Sequence, residues 1–296
     1  MKLSTRNIMA YGYAKYLMWN GSIKKANKDG LSGKHILSIY FHNPEKELFE
    51  KCIKWLIDRG YIFLSVDDLN QIRIGNKNFP KGGVVITVDD GWKENIPNIV
   101  KTSKSYAIPV TIFVTVEPLK SNKSYWWSYV KKANMLKEMN YRIEEIKCLE
   151  NSERNKLIDS IRKDIHIEKE SMNISDLVEI QSIESINIGS HTNTHPILTK
   201  CGYNRAEYEI SNSKKQLEKI LNKPIKYFAY PNGCYGKREM KFLENNDYDI
   251  AFSTTTEYLK ENDLWNRYQY PRFEILENVS FAENICRLTG VWFKKK

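Results

Sequence analysis

The stretch Gly82–Asn95, GGVVITVDDGWKEN, leads five apolar or β-branched residues directly into two adjacent carboxylates and a glycine. The run VVITV has the length and composition of a buried strand, and Gly91 permits a tight turn directly after it. Because side chains alternate along a strand, Asp89 and Asp90 point in different directions and are expected to have different roles. Adjacent carboxylates repel each other unless a cation or a proton-transfer task separates them, so the stretch predicts a functional site at a strand end.

The rest of the chain repeats a strand–helix–strand order around this stretch. Helical patterns occupy residues 44–60 and 204–223, between short apolar or aromatic segments. This order predicts parallel β/α units, either closed into a barrel or arranged as a doubly wound sheet, with the chemistry at the carboxyl ends of the strands. The other predicted strands are residues 35–41, 61–66, 110–116, 186–189, 225–230 and 249–254.

Two segments depart from this β/α order. The Lys- and Glu-rich residues from about 120 to 182 are predicted to be a helical insertion over one face of the domain that spans residues 34–296. Residues 1–33 alternate apolar and aromatic side chains with Lys and Arg, which is typical of a short amphipathic helix. Two interpretations of this N-terminal segment stay open: peripheral contact with a membrane, or packing against its own domain.

Composition limits the partners and the compartment. The chain has 296 residues, a net charge of +10 and no apolar run long enough to span a membrane. The charge fits either a solvated surface or a preference for an anionic membrane or glycan, and no motif predicts binding to nucleic acid. We expect a cytoplasmic protein, either free or peripheral on the inner face of the membrane, because no secretory signal is recognisable and the cysteines are odd in number and widely spaced. The five cysteines are Cys52, Cys148, Cys201, Cys234 and Cys286.

A second polar cluster follows the predicted strand at residues 186–189. His191 and His195 are four residues apart, and Pro196 disfavours helical geometry at His195, so the pair is expected in a loop. Two neutral imidazoles and one carboxylate leave a tetrahedral divalent ion one open position, which is the arrangement of a catalytic site. A water there becomes more acidic, and the second carboxylate can accept its proton. This logic assigns Asp90 to a metal and Asp89 to the proton.

These motifs resemble those of the polysaccharide deacetylase family (NodB homology, carbohydrate esterase family four). The family's first motif is similar to TVDDG at Thr87–Gly91, its second to HTNTH at His191–His195, and its third to AYPNG at Ala229–Gly233. The three motifs stand in the family's order, each at the end of a predicted strand, over roughly Gly33–Phe273. The segments SIYFHNP and FAYPNG further resemble the branch found with bacterial exopolysaccharide synthesis.

The resemblance implies a distorted (β/α) barrel and a metal-dependent hydrolase that removes acetyl groups from N- or O-acetylated sugars. It implies that Asp89 is the general base and that Asp90, His191 and His195 bind zinc or a similar divalent ion. It also implies that the backbone N–H of Asn232 stabilises the oxyanion together with the metal. The expected partner is thus an acetylated carbohydrate, while the oligomeric state stays open.

The chain departs from the family pattern at three positions. Ala229 stands where the third motif has an arginine that orients the base, and we hypothesise that Arg272 reaches in from a later strand instead. The acidic residue of the fourth motif is missing after residues 250–254. The fifth motif, Leu-x-His, has no counterpart because no histidine follows His195. His42, at the end of the first predicted strand, is therefore the candidate general acid.

The favoured function is a metal-dependent deacetylase of N-acetyl amino sugars in a bacterial polysaccharide or lipid-linked glycan. Two alternatives stay open: a glycan-binding barrel that has lost turnover, and a metal amidohydrolase of a non-sugar amide. Four aromatic residues of the insertion either stack on sugar rings or form the core of the inserted helices. They are Tyr125, Trp126, Trp127 and Tyr129.

Overall fold

A computed structural model of the chain describes residues 4–137 and 139–293. Its centre is an eight-stranded parallel sheet that curls into a half-barrel, in the order β7-β6-β5-β4-β3-β1-β8, with β2 paired to β3. All seven predicted strand segments contain a strand, which confirms the α/β fold and the distorted barrel. The strands are β1 (Leu37–Phe41), β2 (Ile62–Leu64), β3 (Gly83–Val88), β4 (Val110–Val114), β5 (Ile186–Ser190), β6 (Tyr227–Ala229), β7 (Ile250–Phe252) and β8 (Phe273–Glu274).

Helices connect the strands and cover the outer face of the sheet, as parallel crossover connections require. The apolar stripe of the helix predicted at residues 44–60 is buried through Phe49, Cys52 and Leu56. The helices are α1 (Thr5–Trp19), α2 (Ser22–Leu31), α3 (Lys46–Ile57), α4 (Val66–Arg73), α5 (Lys101–Tyr106), α6 (Val116–Lys120), α7 (Trp126–Lys137), α8 (Ile143–Cys148), α9 (Asn151–Asp164), α10 (Ile174–Ile180), α11 (Tyr203–Leu221), α12 (Lys237–Asn245) and α13 (Phe281–Leu288).

A short, irregular stretch fills the gap between the two ends of the sheet. Tyr270 forms an isolated bridge with Phe252 of β7, and Phe273 of β8 pairs with Ile39 of β1. Arg272 lies between these two bridges, and its side chain has no exposed surface. The stretch therefore carries a cation into the interior of the curled sheet.

The predicted insertion lies between β4 and β5 and contains helices α7 to α10. Its first three helices have a hydrophobic core of their own, separate from the core under the sheet. Trp126 and Tyr129 are buried in that core beside Ile158 and Ile161, so these two aromatics serve packing. These three helices are thus held together by apolar burial of their own, whereas α10 packs in the core under the sheet through Leu177 and Ile180.

The N-terminal helix α1 packs against α13 through one side. Ala14 and Leu17 are buried with Cys286 in a small apolar cluster. Beside it, both terminal nitrogens of Arg6 donate to the buried Glu283 carboxylate, at 2.7 and 2.6 Å. Helix α1 therefore packs against its own domain, which is one of the two interpretations that the sequence leaves open. Within residues 4–137 and 139–293, every helix is too short or too polar to cross a membrane.

The pairing of α1 with α13 generates a stability prediction. The substitution Glu283→Gln removes the negative charge that accepts hydrogen bonds from Arg6 and Arg287. The free energy of unfolding should therefore fall by about 1–3 kcal/mol. Chemical denaturation of the full chain measures this change. Glu244→Gln, which breaks an exposed 2.7 Å pair with Lys241, is the control and should leave the unfolding midpoint unchanged. Equal effects of both substitutions would contradict the assigned role of Glu283.

Candidate metal centre and active site

The residues that follow the strands meet at one end of the barrel. They border a cavity of about 840 Å³ at the carboxyl ends of the strands, where the sequence predicts the chemistry. The structure brings six of the seven predicted site residues to the wall of this cavity, and Arg272 lies directly behind one of them. The six are His42, Asp89, Asp90, His191, His195 and Asn232.

Three of these residues form a cluster suited to a metal ion. Oδ1 of Asp90 lies 3.5 Å from Nε2 of His191 and 3.4 Å from Nε2 of His195, and all three side chains are buried. Ligand atoms about 2.1 Å from a tetrahedral ion lie about 3.4 Å apart, so this spacing fits a divalent cation. Among the described residues, none donates a well-aligned hydrogen bond to Asp90 Oδ1. A buried, unpaired carboxylate oxygen of this kind is expected where a cation is the partner.

Local contacts fix the tautomer of His191. Its Nδ1 lies 2.7 Å from the carbonyl oxygen of Ala229, and because a carbonyl only accepts, Nδ1 carries the proton. The lone pair of Nε2 is then directed toward Asp90. Burial lowers the pKa of His191 to about 4, so the ring is neutral at physiological pH. A neutral imidazole oriented by a carbonyl is the usual form of a metal-binding histidine.

The turn between the two histidines has an unusual backbone. Thr192 and His195 both adopt left-handed conformations, with φ of 69° and 56°. The Thr192 hydroxyl accepts a hydrogen bond from the backbone N–H of His195 at 3.0 Å. His195 therefore lies in a loop, as Pro196 predicts, and the loop conformation rather than a helix brings both rings to Asp90.

A glutamate outside the motifs holds this turn in place. Glu209 of α11 is buried and accepts hydrogen bonds from the backbone N–H groups of Asn193 and Thr194, at 2.9 and 2.8 Å. It also accepts one from the Thr194 hydroxyl at 2.7 Å. Arg205, one turn earlier on α11, pairs with the same carboxylate. These contacts fix the loop against α11 and compensate the buried charge.

The second carboxylate of the DD pair has a different partner. Arg272 donates two parallel hydrogen bonds to Asp89, at 2.8 and 2.9 Å, and a third to the Thr87 hydroxyl at 2.9 Å. Its Nε donates to the Ser253 carbonyl at 3.0 Å. Burial alone would raise the pKa of Asp89, but the Arg272 guanidinium outweighs that effect and holds the pKa below its ordinary value. Asp89 is therefore ionised at neutral pH.

The backbone separates the two aspartates. Asp90 and Gly91 both have positive φ, 78° and 83°, which turns the chain sharply after β3. A Cβ at Gly91 would lie 2.8 Å from Cγ1 of Val114, so this position accommodates only glycine. Trp92 donates its indole N–H to Asp90 Oδ2 at 3.0 Å, which leaves Oδ1 directed at the histidines.

Aromatic residues of the insertion reach this site. Tyr125 donates its hydroxyl to the Asp90 carbonyl at 3.1 Å and stacks on Trp127, with ring centres 4.9 Å apart. Trp127 is half-buried on the cavity wall, and its ring centre lies 4.5 Å from that of His195. Tyr125 thus serves packing, whereas Trp127 presents an aromatic surface to the cavity.

The remaining predicted residues, His42 and Asn232, come from other strand ends. His42, after β1, is 40% exposed, and its Nδ1 lies 3.5 Å from a carboxylate oxygen of Glu274 at the end of β8. Asn232 is exposed, with a left-handed φ of 56°, in the turn after β6. Both line the cavity, on walls formed by different strands.

A sequence model of the polysaccharide deacetylase family matches residues 76–251, more than half of the chain. The chain belongs to the polysaccharide deacetylase family. Family members are hydrolases of carbon–nitrogen bonds that use a divalent metal, and the Asp90–His191–His195 cluster lies within the matched residues. YxkH of Bacillus subtilis (strain 168), named for the same family, is 23% identical over 211 residues. That alignment covers 71% of this chain and 58% of YxkH, so the chain spans under two thirds of the relative's length.

Solved deacetylase structures share the fold. The Streptococcus pyogenes deacetylase PplD has a TM-score of 0.61 at 18% identity, covering 86% of this chain and 97% of that chain. The deacetylase domain of BpsB from Bordetella bronchiseptica has a TM-score of 0.63 at 11% identity, covering 84% and 98%. IcaB from Ammonifex degensii has a TM-score of 0.61 at 14% identity, covering 87% and 98%. At such identities, these likenesses show the polysaccharide deacetylase fold alone.

Sequence reasoning missed two acidic residues of the site. Glu209 lies in the middle of an amphipathic helix, where an acidic side chain ordinarily faces solvent, so no local signal distinguishes it. Glu274 lies in a two-residue strand that was not predicted. The only sequence signal for Glu274 is that its carboxylate lies two residues after the predicted Arg272.

The contacts of Glu209 predict an effect on metal binding. Glu209→Gln should weaken the affinity for Zn²⁺ by about 10-fold or more, because the turn that carries both histidines loses a charged acceptor. Titration of the metal-stripped protein with Zn²⁺ measures this. Glu207→Gln, on the same helix, is the matched control and should bind as the wild type does. Unchanged affinity in a folded Glu209→Gln variant would show that the loop does not depend on this contact.

Proposed function

We propose that this polysaccharide deacetylase is a metal-dependent enzyme that hydrolyses acetyl groups from N-acetyl amino sugars of a bacterial polysaccharide or lipid-linked glycan. The main support for the proposal is that two adjacent aspartates line one cavity and have different partners. Asp90 is grouped with two histidines, whereas Asp89 is paired with a buried arginine. A cavity of about 840 Å³ has room for several sugar units.

Asp90, His191 and His195 would hold the ion, and a set of two imidazoles and one carboxylate suits zinc. When bound, the ion supplies Lewis acidity at the acetyl carbonyl and at the attacking water. Ala229, Trp92 and Glu209 orient the three ligands through the hydrogen bonds described above. The site residues present therefore fit the metal that the family uses.

Asp89 would act as the general base. A carboxylate offers about four lone-pair positions, and the two hydrogen bonds from Arg272 occupy one on each oxygen. The others remain available on the cavity side, where Asp89 accepts the proton of the attacking water. Arg272 holds the carboxylate in one orientation and keeps it ionised, which is the role that the third-motif arginine has elsewhere in the family.

Two residues would complete the reaction from the other walls of the cavity. The backbone N–H of Asn232 would donate to the oxyanion that develops on the acetyl carbonyl. His42 would donate a proton to the leaving amine, with Glu274 beside Nδ1 to orient the ring. Trp127 gives a sugar ring an aromatic surface to stack on, which favours a carbohydrate over a small non-sugar amide.

A glycan-binding barrel without turnover is the second candidate, favoured by the absence of any histidine after His195 in the sequence. The buried Asp89–Arg272 pair opposes it, because a binding cavity needs no ionised base facing its interior. Measured turnover discriminates between the two candidates.

The different roles of the two aspartates predict different effects when each is replaced by Asn. Asp89→Asn should lower acetate release from chitooligosaccharides by at least about 100-fold while one metal ion per chain stays bound. Asp90→Asn should lose both the metal and the activity, because it removes a ligand. Acetate assays with elemental analysis measure both quantities. Full turnover by a metal-loaded Asp89→Asn variant would refute the assigned base, and a wild-type chain that binds metal but releases no acetate would favour the binding barrel.

The assignment of His42 as the general acid predicts a loss of activity without a loss of metal. His42→Gln should lower kcat on an N-acetylated substrate by about 100-fold or more with unchanged metal content, because the leaving amine loses its proton donor. His166→Gln, an exposed position outside the cavity wall, is the matched control and should keep full activity. Equal activity of both variants would exclude His42 from proton transfer.

A further inference from the structure

The side of α1 that faces away from the domain is apolar. Trp19 is 83% exposed and Met9 is 71% exposed. Ala14 and Leu17 occupy the opposite side of the helix, which packs against the domain. From Ile8 to Trp19 these exposed side chains form a strip about 17 Å long on the helix. The exposed apolar and aromatic residues of this strip, here called the α1 face, are Ile8, Met9, Tyr11, Tyr16, Met18 and Trp19.

Positive charge surrounds the α1 face. Residues 4–34 contain six Lys or Arg and a single Asp, so about half of the net charge of +10 lies in this tenth of the chain. Lys15 lies on the α1 face itself, and Lys24, Lys25 and Lys28 are exposed on the adjoining helix α2. Apolar and aromatic side chains flanked by exposed lysines match the chemistry of an anionic lipid surface. A second copy of this chain would instead bring two strongly basic surfaces together.

The α1 face is also connected to the rim of the active-site cavity. Asn7, at the start of α1, donates its side-chain N–H to the carbonyl of Asn278 at 3.0 Å. Asn278 and its neighbours Glu277 and Val279 line the cavity. The packed side of the first turn of α1 is thus one hydrogen bond away from the loop that borders the site, so a surface bound to the α1 face lies about one helix diameter, roughly 10 Å, from that rim.

We propose that the α1 face docks the protein on an anionic membrane, with α1 lying in the plane of the lipid headgroups. Docking does not insert a spanning segment, because α1 is too short to cross the bilayer. The rim formed by residues 277–279 then lies beside the membrane. If the proposed deacetylase function holds, this geometry selects glycans attached to a lipid carrier, whose sugars are presented next to the headgroups.

Vesicle binding of the full chain tests the docking without any dependence on turnover. Vesicles of phosphatidylcholine with 30% phosphatidylglycerol, a composition chosen for the assay, should sediment the wild-type protein, and pure phosphatidylcholine vesicles should sediment much less. The double substitution Met9→Ser with Trp19→Ser should weaken binding to the anionic vesicles by at least about 10-fold, since it removes two interfacial anchors. Replacing Lys15, Lys24 and Lys25 by Gln should weaken binding by a similar factor and reduce its dependence on salt.

Trp265→Ser is the matched control, because Trp265 is 79% exposed in a loop outside α1. It should bind vesicles as the wild type does, and all variants should keep the wild-type melting temperature because the substituted side chains are exposed. Equal loss of binding in Trp265→Ser would show non-specific adsorption and overturn the proposal. Wild-type protein that ignores anionic vesicles but changes from dimer to monomer on Met9→Ser with Trp19→Ser would assign the α1 face to self-association and also overturn it.

The proposal that the substrate is attached to a lipid is tested separately, by acetate release. With a soluble chitooligosaccharide, Met9→Ser with Trp19→Ser should retain the wild-type rate of acetate release, whereas with an N-acetylated glycolipid in anionic vesicles its rate should fall by at least about 10-fold. Equal rates on the glycolipid would overturn the lipid-linked substrate. Acetate release from neither substrate by the wild type would refute the proposed function, while the vesicle-binding result would still decide the docking.

Discussion

The site depends on how two buried, adjacent negative charges are stabilised. Asp89 and Asp90 are both about 3% exposed, and burial of an unpaired carboxylate costs several kcal/mol. The fold solves this with two different partners. A buried guanidinium compensates Asp89, whereas Asp90 accepts one indole N–H and faces two imidazoles, which leaves one of its oxygens available for a cation. The different roles of the aspartates follow from this asymmetry.

The incomplete closure of the barrel supplies the guanidinium. The sheet ends with β7 on one side and β8 on the other, and these two end strands do not pair with each other. Here residues 270–274 bridge the gap, and Arg272 enters among the rings of Tyr40, Phe113 and Phe252. Ala229 has no side chain that could reach Asp89, but its carbonyl orients His191. The guanidinium that pairs with Asp89 and the carbonyl that orients His191 therefore come from separate segments of the chain.

The parts of the fold that the sequence predicts are those encoded in local patterns. Continuous apolar runs identified seven strands, and the motif residues at their ends located the cavity, because parallel strands place their carboxyl ends together. Strand β8 was missed because two residues, Phe273 and Glu274, carry no pattern. The contact of Glu209 with the turn at 193–194 was missed for a different reason: it joins a helix to a loop through backbone N–H groups, which leave no trace in residue type.

The insertion helps to explain how one mouth of the barrel could hold both the proposed metal and the proposed glycan substrate. Metal ligands need a dry, rigid surrounding, whereas a sugar needs an accessible surface. Tyr125 and Trp127 reconcile the two requirements, because Tyr125 is buried against the Asp90 backbone while Trp127 stacks on it and faces the cavity. The separate core of α7, α8 and α9 packs against Trp127, whereas the hydrogen bond to the Asp90 carbonyl holds Tyr125. The insertion can therefore shape the cavity wall that carries Trp127 while the strand ends hold the carboxylates and the histidines.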